Sequence, residues 1–318
     1  MHLLVTGGAG FIGSHLSEYL LAQGHTVVVL DSFNDYYDPR LKRRNIAPML
    51  QRPGYLLVDG DILDLEVLQK IFKAHEFDAI IHLAARAGVR PSIAQPLLYE
   101  QVNVTGTMHL LELARLHGVP KFIFGSSSSV YGENRKVPFS EDDPVDNPIS
   151  PYAFTKKAGE LICYTYHHLY GLKVSCLRFF TVYGPRQRPD MAIRKFTQLI
   201  ATGQKVPMFG DGTTKRDYTY FSDIVEGIYR ALEHCSSYHI YNLGESRTVE
   251  LRQLIELIAK NLGKEAKIER LPIQPGDVPI TYADVSRAQR EIGYQPRVNI
   301  EQGVQQFVAW FKEMHQLK

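Results

Sequence analysis

The first 180 residues carry two hydrophobic rhythms in alternation. Contiguous apolar runs of strand length sit at residues 2–6, 26–30, 55–58, 78–83, 121–125 and 173–179. Between them, apolar residues recur at helical spacing. Leu16, Tyr19, Leu20 and Leu21 mark 14–22; Leu110, Leu111, Leu113 and Leu116 mark 96–117; the segments 65–75 and 152–170 follow the same period. An unbroken apolar run predicts a strand covered on both faces, because a half-solvated strand would alternate. Strand and helix in strict alternation predict an α/β fold around a doubly wound parallel sheet. Residues 32–44 interrupt the rhythm. They are polar and aromatic, contain Asp38-Pro39, and predict a long loop and a short helix.

After Gly184-Pro185-Arg186 the rhythm loosens. Helices are predicted around 192–202 and 250–262, separated by short strands. Residues 1–185 therefore read as one domain and 186–318 mainly as a smaller second one. The division is not one clean cut: within 219–245, the run Ile240-Tyr241-Asn242-Leu243-Gly244 is apolar enough to rejoin the main sheet. There is no internal repeat and no low-complexity segment.

The opening strand runs directly into Gly7-Gly8-Ala9-Gly10-Phe11-Ile12-Gly13, and the second strand ends at Asp31. Each part has a mechanical use. Gly7 or Gly8 permits a tight turn, Gly10 lets the backbone approach a pyrophosphate, and Gly13 lets helix and strand pack closely. The helix N-terminus offers free N–H groups and a positive dipole end. A carboxylate at Asp31 can accept both ribose hydroxyls of an adenosine. A glycine loop alone is a weak signal. One with its strand before, its helix after and its acid some twenty residues on points to a dinucleotide. Asp31 would repel a 2′-phosphate and no arginine follows it directly, so NAD(H) is expected over NADP(H). Asp61-Ile62, after the third strand, sits where ligands bind in open α/β sheets. Asp61 can accept the adenine amino group and Ile62 can cover the ring. The competing role is a helix N-cap, which Asp64 suits better. His82-Leu83-Ala84-Ala85 ends the fourth strand with residues small enough to leave room for a cofactor against the backbone.

Composition narrows the partners. The chain has 318 residues, 22% of them charged, with a formal net charge of +2. That gives neither nucleic acid nor a membrane surface an electrostatic claim on it. No apolar run reaches transmembrane length, and the first residues already read as strand, which leaves no place for a signal peptide. Cys163, Cys176 and Cys235 form no disulfide framework and read as buried thiols in a reducing compartment, the cytoplasm. The twelve histidines show no metal-ligand spacing, and no metal is expected. His167-His168 is an adjacent pair on a helix surface.

Tyr152 and Lys156 lie one helical turn apart, which puts them on one face. A phenol with a pKa near 10 is a poor base at neutral pH. A nearby ammonium favours the phenolate, and the pair then suits proton transfer to and from an alcohol. Ser127, at the tip of the fifth strand, would face the same point and hydrogen-bond the reacting oxygen. Tyr-x-x-x-Lys is common on helix surfaces; behind a serine-tipped strand in a nicotinamide fold it reads as chemistry.

Gly7 to Gly13, Asp31, Asp61-Ile62, His82-Leu83-Ala84-Ala85, Asn103 to Thr107, Ser127, Tyr152 and Lys156 together resemble the extended short-chain dehydrogenase/reductase family. The resemblance runs nearly end to end. It implies a Rossmann-type NAD domain with a smaller C-terminal α/β substrate domain, and nucleotide-sugar chemistry. It adds Asn103 to the expected cofactor contacts. Arg90-Pro91-Ser92, the stretch from Gly184 to Ala192, and Gln274-Pro275-Gly276-Asp277-Val278-Pro279 resemble the UDP-glucuronate 4-epimerases.

That resemblance implies oxidation and re-reduction at C4 through a 4-keto sugar, with Tyr152 as the base and NAD regenerated in place. Related dehydratases and decarboxylases carry an acid beside the catalytic serine or threonine; this chain has Ser128 and Ser129 there. Ser128, Thr181 and Arg188 are expected to hold the sugar carboxylate, Arg188 by two parallel hydrogen bonds. Arg90 is expected on the substrate side. Phe209 is expected against uracil or, equally, in a core. Arg216 is expected on the pyrophosphate, with a surface pair to Asp217 as the alternative, and Asp277 on the uridine ribose. UDP-glucose or a UDP-N-acetylhexosamine remains the alternative substrate. A catalytically silent NAD-sensing protein would have lost Tyr152 or Lys156, and both are present. A homodimer is expected through a four-helix bundle of helices 96–117 and 152–170.

Overall fold

The computed structural model describes residues 1–273 and 278–316. Six strands alternate with helices as far as residue 179: β1 (His2–Thr6), β2 (Thr26–Asp31), β3 (Tyr55–Asp59), β4 (Ala79–His82), β5 (Lys121–Ser127) and β6 (Lys173–Phe179). They are followed by β7 (Thr181–Tyr183), β8 (Lys205–Phe209), β9 (Lys215–Tyr220), β10 (Tyr238–Leu243), β11 (Thr248–Glu250) and β12 (Lys267–Leu271). Among the described residues the main sheet has seven strands in the order β10-β6-β5-β4-β1-β2-β3. Every pair in it is parallel. The order reverses at β1, between β2 and β4, which opens a crevice at the carboxyl ends of these strands.

The contiguous apolar runs have a simple cause. Leu3, Val5, Val27, Val29, Ile81 and Ile123 pack into the core on one face. Their immediate neighbours Leu4, Val28, Leu30, Ile80 and Phe122 pack into the core on the other. Side chains alternate along a strand, so a sheet covered on both faces needs an apolar residue at every position.

The chain leaves this sheet at Thr181. β7 joins β9 in parallel and β9 joins β11 antiparallel, while β8 and β12 pair separately. A third core fills beneath them, around Phe196, Leu254, Ile258 and Phe307. Residues 238–243 do rejoin the main sheet, as β10 beside β6.

The helical run at 96–117 is not uniform. Pro96–Glu100 and Gly106–Leu116 are α-helix, and Gln101–Thr105 between them is a π-turn. The wider turn brings Asn103 inward, where it is 2% exposed.

Candidate active site

The crevice at the strand switch is a cavity of about 520 Å³. It brings together Gly7, Gly10, Phe11, Ile12, Gly13, Asp31, Asp61, Ile62, Leu83, Ala84 and Ala85. It also collects Ser127, Ser128, Tyr152, Lys156, Thr181 and Arg188. The first group comes from the ends of β1 to β4 and the segments after them, the second from the end of β5, the helix Pro151–Tyr170, β7 and the segment after β7 that carries Arg188.

The glycine loop is tight because it has to be. Gly7 has φ +69°, and a Cβ there would lie 2.8 Å from the Ala84 nitrogen. A Cβ at Gly13 would lie 2.3 Å from the Gly7 carbonyl oxygen. The helix Phe11–Ala22 starts without a side-chain cap and with no acid in its first turn. Its terminal N–H groups and dipole therefore face the cavity uncompensated, the condition for holding a diphosphate.

Asp31 is pinned at the end of β2, 4% exposed. Its Oδ2 accepts from the Ala9 N–H at 3.1 Å; its Oδ1 accepts from the Phe33 N–H at 3.0 Å and from Lys42 Nζ at 2.9 Å. No arginine follows it in sequence, but a lysine folds onto it from the helix Pro39–Ile46. Asp61 accepts from the Leu63 N–H at 2.9 Å while Asp64 caps the next helix, so Asp61 keeps a face toward the cavity.

Tyr152 is half-buried, with Tyr99 edge-on to it at 6.3 Å. Burial raises the pKa of its phenol; the Ser127 hydroxyl and the Arg188 guanidinium pull the other way. Lys156 is placed differently from the expected ammonium–phenol pair. Its Nζ donates to the Gly125 carbonyl at 2.6 Å and lies 6.0 Å from the centre of the Tyr152 ring. Burial pushes the lysine down to about 8. Arg188 thus adds a second cation near the phenol. His82 beneath them bridges Thr6 and Thr107 at 2.7 and 2.9 Å and is pushed down to about 3 by burial and by Lys156, so it is neutral.

Four expected site residues are not in the cavity lining, and a fifth falls outside the described residues. Asn103 stands behind the wall. Its amide donates to the Arg86 carbonyl at 2.9 Å and to Thr155 Oγ1 at 3.0 Å, and its Oδ1 accepts from the Arg86 N–H at 2.7 Å. It pins the cavity loop to the tyrosine helix. Arg90 and Phe209 sit outside the cavity and meet each other, the guanidinium 4.6 Å from the ring centre. Phe209 is half-buried at the end of β8 rather than in a core. Arg216 donates to the Lys215 carbonyl at 2.8 Å. Asp217, its suggested surface partner, is 0% exposed and accepts from the Glu245, Ser246 and Ala283 N–H groups instead. Asp277 lies outside the described residues.

Two tyrosines not singled out in the sequence support the site, Tyr36 in the cavity wall and Tyr99 buried behind it. Tyr36 and Tyr99 both donate to the Ala87 carbonyl, at 2.6 and 2.7 Å. Tyr36 stacks near Arg188, ring centre 5.4 Å from the guanidinium. Arg188 itself forks onto Asp190, Nε to Oδ1 at 3.0 Å and Nη2 to Oδ2 at 2.9 Å. A tyrosine-rich loop at 32–37 was the available hint for Tyr36.

Residues 4–307 match the family model described as GDP-mannose 4,6 dehydratase. The UDP-glucuronate 4-epimerase of Thermodesulfobacterium geofontis is 44% identical over 98% of this chain and 96% of its own. The crystal structure of UDP-glucuronic acid 4-epimerase from Bacillus cereus, in complex with UDP-glucuronic acid and NAD, superposes with a TM-score of 0.92 at 36% identity, covering 99% of this chain and 100% of that one. UDP-glucose 4-epimerase from Thermotoga maritima, with UDP-glucose, gives a TM-score of 0.92 at 34% identity over 99% and 100% of the two chains. The glycine cradle, the Tyr152–Lys156 helix and these likenesses agree: the chain belongs to the extended short-chain dehydrogenase/reductase family of nucleotide-sugar enzymes.

Proposed function

We propose that this protein is a UDP-glucuronate 4-epimerase, interconverting UDP-glucuronate and UDP-galacturonate with NAD held as a resident cofactor. The observation that carries the sugar assignment is Arg188: a guanidinium lining the same cavity as Tyr152, Ser128 and Thr181. A carboxylate at C6 is the substituent such a group recognises.

The cradle fits the cofactor, since glycine at positions 7 and 13 lets the turn close tightly against its own backbone and leaves the helix N-terminus facing the cavity. The N–H groups from Phe11 onward receive the diphosphate, Asp31 the adenine-side ribose, and Asp61 with Ile62 the adenine. Leu83, Ala84 and Ala85 form the wall beside the nicotinamide half. When bound, NAD supplies a reversible acceptor for the C4 hydride. Tyr152 takes the proton of the 4-hydroxyl in one half of the cycle and returns it in the other. Ser127 holds the reacting oxygen. Lys156, anchored by Gly125, keeps positive charge behind the tyrosine. Asn103 fixes the 86–87 backbone against Thr155, one turn from the reacting groups. Ser128, Thr181 and Arg188 hold the carboxylate out of line with the carbonyl π system, which protects a β-keto acid from losing carbon dioxide. Ser128 and Ser129 leave no acid there to assist elimination.

Residues 1–185 with β10 serve as the NAD domain and the remainder as the UDP-sugar domain. Phe209 and Arg90 then mark the uracil side, with Arg216 and Asp277 further contacts. Leu97, Leu116, Phe154, Leu161, Tyr164 and Leu169 are exposed on the two helical segments expected to pair, which supports a homodimer through a four-helix bundle. Among the described residues no helix is long and apolar enough to cross a membrane, and the three cysteines are free and buried. The free thiols support a reducing compartment, the cytoplasm.

One observation favours a second reading, UDP-glucose or a UDP-N-acetylhexosamine as substrate: the Arg188 fork is already matched by Asp190. Incubating the purified protein with UDP-glucuronate, without added NAD⁺, separates the two. UDP-galacturonate as the sole product is expected. A pentose product, or turnover of UDP-glucose alone, would overturn the assignment.

A further inference from the structure

Arg188 enters the cavity already paired. The Asp190 fork uses Nε and Nη2 in the parallel arrangement a guanidinium makes with a carboxylate. The two partners differ in their surroundings. The Arg188 side chain is 21% exposed and the Asp190 side chain 45%. Arg188 is also backed by the Tyr36 ring, which its own hydroxyl ties to the Ala87 carbonyl. The arginine is thus the fixed member of the pair, and the aspartate is the one with water on it.

We propose that Asp190 is the resident counter-ion of Arg188, occupying the fork that the sugar carboxylate takes, and that this exchange limits how strongly the site prefers a uronate. The proposal rests on the uronate reading above. A uronate brings a planar anion that replaces the Asp190 carboxylate atom for atom. The released Asp190 is half in water and is rehydrated at little cost. A neutral hexose brings one hydroxyl at C6, which cannot replace two charge-assisted bonds. Keeping both carboxylates on one guanidinium would set like charges side by side. Arg188 stays matched in both states, so no buried unpaired cation forms at any stage. The competing group inside the protein thus lowers affinity for the uronate and keeps the site matched when none is bound.

The test is Asp190→Asn, which keeps the shape and removes the charge, with Asp190→Ala as a second variant. Both are read with UDP-glucuronate and UDP-glucose, beside a thermal-unfolding check. KM for UDP-glucuronate should fall roughly tenfold in both variants, with kcat within about twofold of the parent, because nothing has to be displaced. kcat/KM for UDP-glucose should fall, because its 6-hydroxyl then faces an unmatched cation. A purely structural role for Asp190 would instead raise KM for both sugars together, and that result would overturn the proposal. So would an unchanged preference. If the parent protein turns over UDP-glucose and not UDP-glucuronate, the function reading fails first and takes this proposal with it. If the parent turns over UDP-glucuronate and the variants match it, this proposal fails alone.

Discussion

The two sides of the cleft are built from different materials. On the proposed cofactor side the parts are mainly backbone: the glycine turn, the uncapped start of the helix Phe11–Ala22, and the ends of the sheet strands. On the proposed sugar side they are side chains: Thr181 at the start of β7, Arg188 and Met191 beyond it, and Ser128 just past β5. A backbone site admits few solutions, because one added atom closes it. A side-chain site can be rewritten one residue at a time without touching the fold. One cradle can therefore serve many sugars, and the comparison predicts where substitutions will be severe and where they will be specific.

The severest should be Gly13→Val. Its Cβ would sit 2.3 Å from the Gly7 oxygen and 2.7 Å from the Gly8 Cα, so the turn has to open. Displacing the phosphate-binding N–H groups by an ångström should cost on the order of 100-fold in NAD affinity and in activity. The protein should purify without nucleotide, measured by releasing and quantifying bound NAD. A variant that retains its cofactor would break the comparison.

This asymmetry also decides what could be read in the sequence. β1, the glycine turn and Asp31 are local patterns, and the split of Leu3, Leu4 and Val5 between two faces follows from the period of a strand. The Tyr152–Lys156 pair was visible because a helix has a known repeat. Lys42 was not, since 11 residues and a loop separate it from Asp31. Lys156 turning to the Gly125 carbonyl was not, because its partner is 31 residues away on β5. Nor was Asp190, which looks like any exposed acid until Arg188 is placed beside it. The π-turn at Gln101–Thr105 has no distinct hydrophobic period, so its effect on Asn103 was hidden inside an ordinary helical pattern. Polar pairing, whether across 31 residues as at Lys156 or across two as at Arg188, leaves no period to detect.

The next largest effect probes such a hidden pairing between the tyrosine helix and the main sheet. Glu160, on the tyrosine helix, is 0% exposed and Arg178, on β6, 1%. Arg178 donates Nε to Oε1 and Nη2 to Oε2, both at 2.9 Å, and Ser126 donates to Oε1 at 2.7 Å. Arg178 also donates to the Tyr131 hydroxyl at 3.0 Å, and Tyr131 donates to Asn242 on β10 at 2.7 Å. Glu160→Leu should lower stability by about 3–5 kcal/mol, because it strands a buried guanidinium. Adding Arg178→Met should recover most of that loss, since the pair need not be worth much once both charges are gone. Urea unfolding of the two variants measures it. If the double variant is no better than the single, the network does more than neutralise charge, and the site-facing Ser126 contact becomes the part to study.

The smallest expected effect lies on the other side and depends on pH. Asp217 is held up to about 6 by burial, against the N–H groups that pull it down. Glu245, in the turn after β10, is held up to about 7 by burial first and then by Asp217. Its Oε2 is buried without a hydrogen-bond partner among the described residues. A carboxyl with a raised pKa binds its proton more tightly folded than unfolded. Below about pH 4 both states are protonated and nothing is lost; as pH rises toward 7 the unfolded chain ionises first and stability declines. Glu245→Gln removes that decline at one position. It should leave stability unchanged at pH 4 and raise it by roughly 1–2 kcal/mol at pH 8, read from thermal or urea unfolding at the two values. An equal change at both pH values would mean that shape, and not charge, governs this turn. A gain confined to pH 8 would show that this half stores an ionisation cost beside β9, where side chains set the local structure.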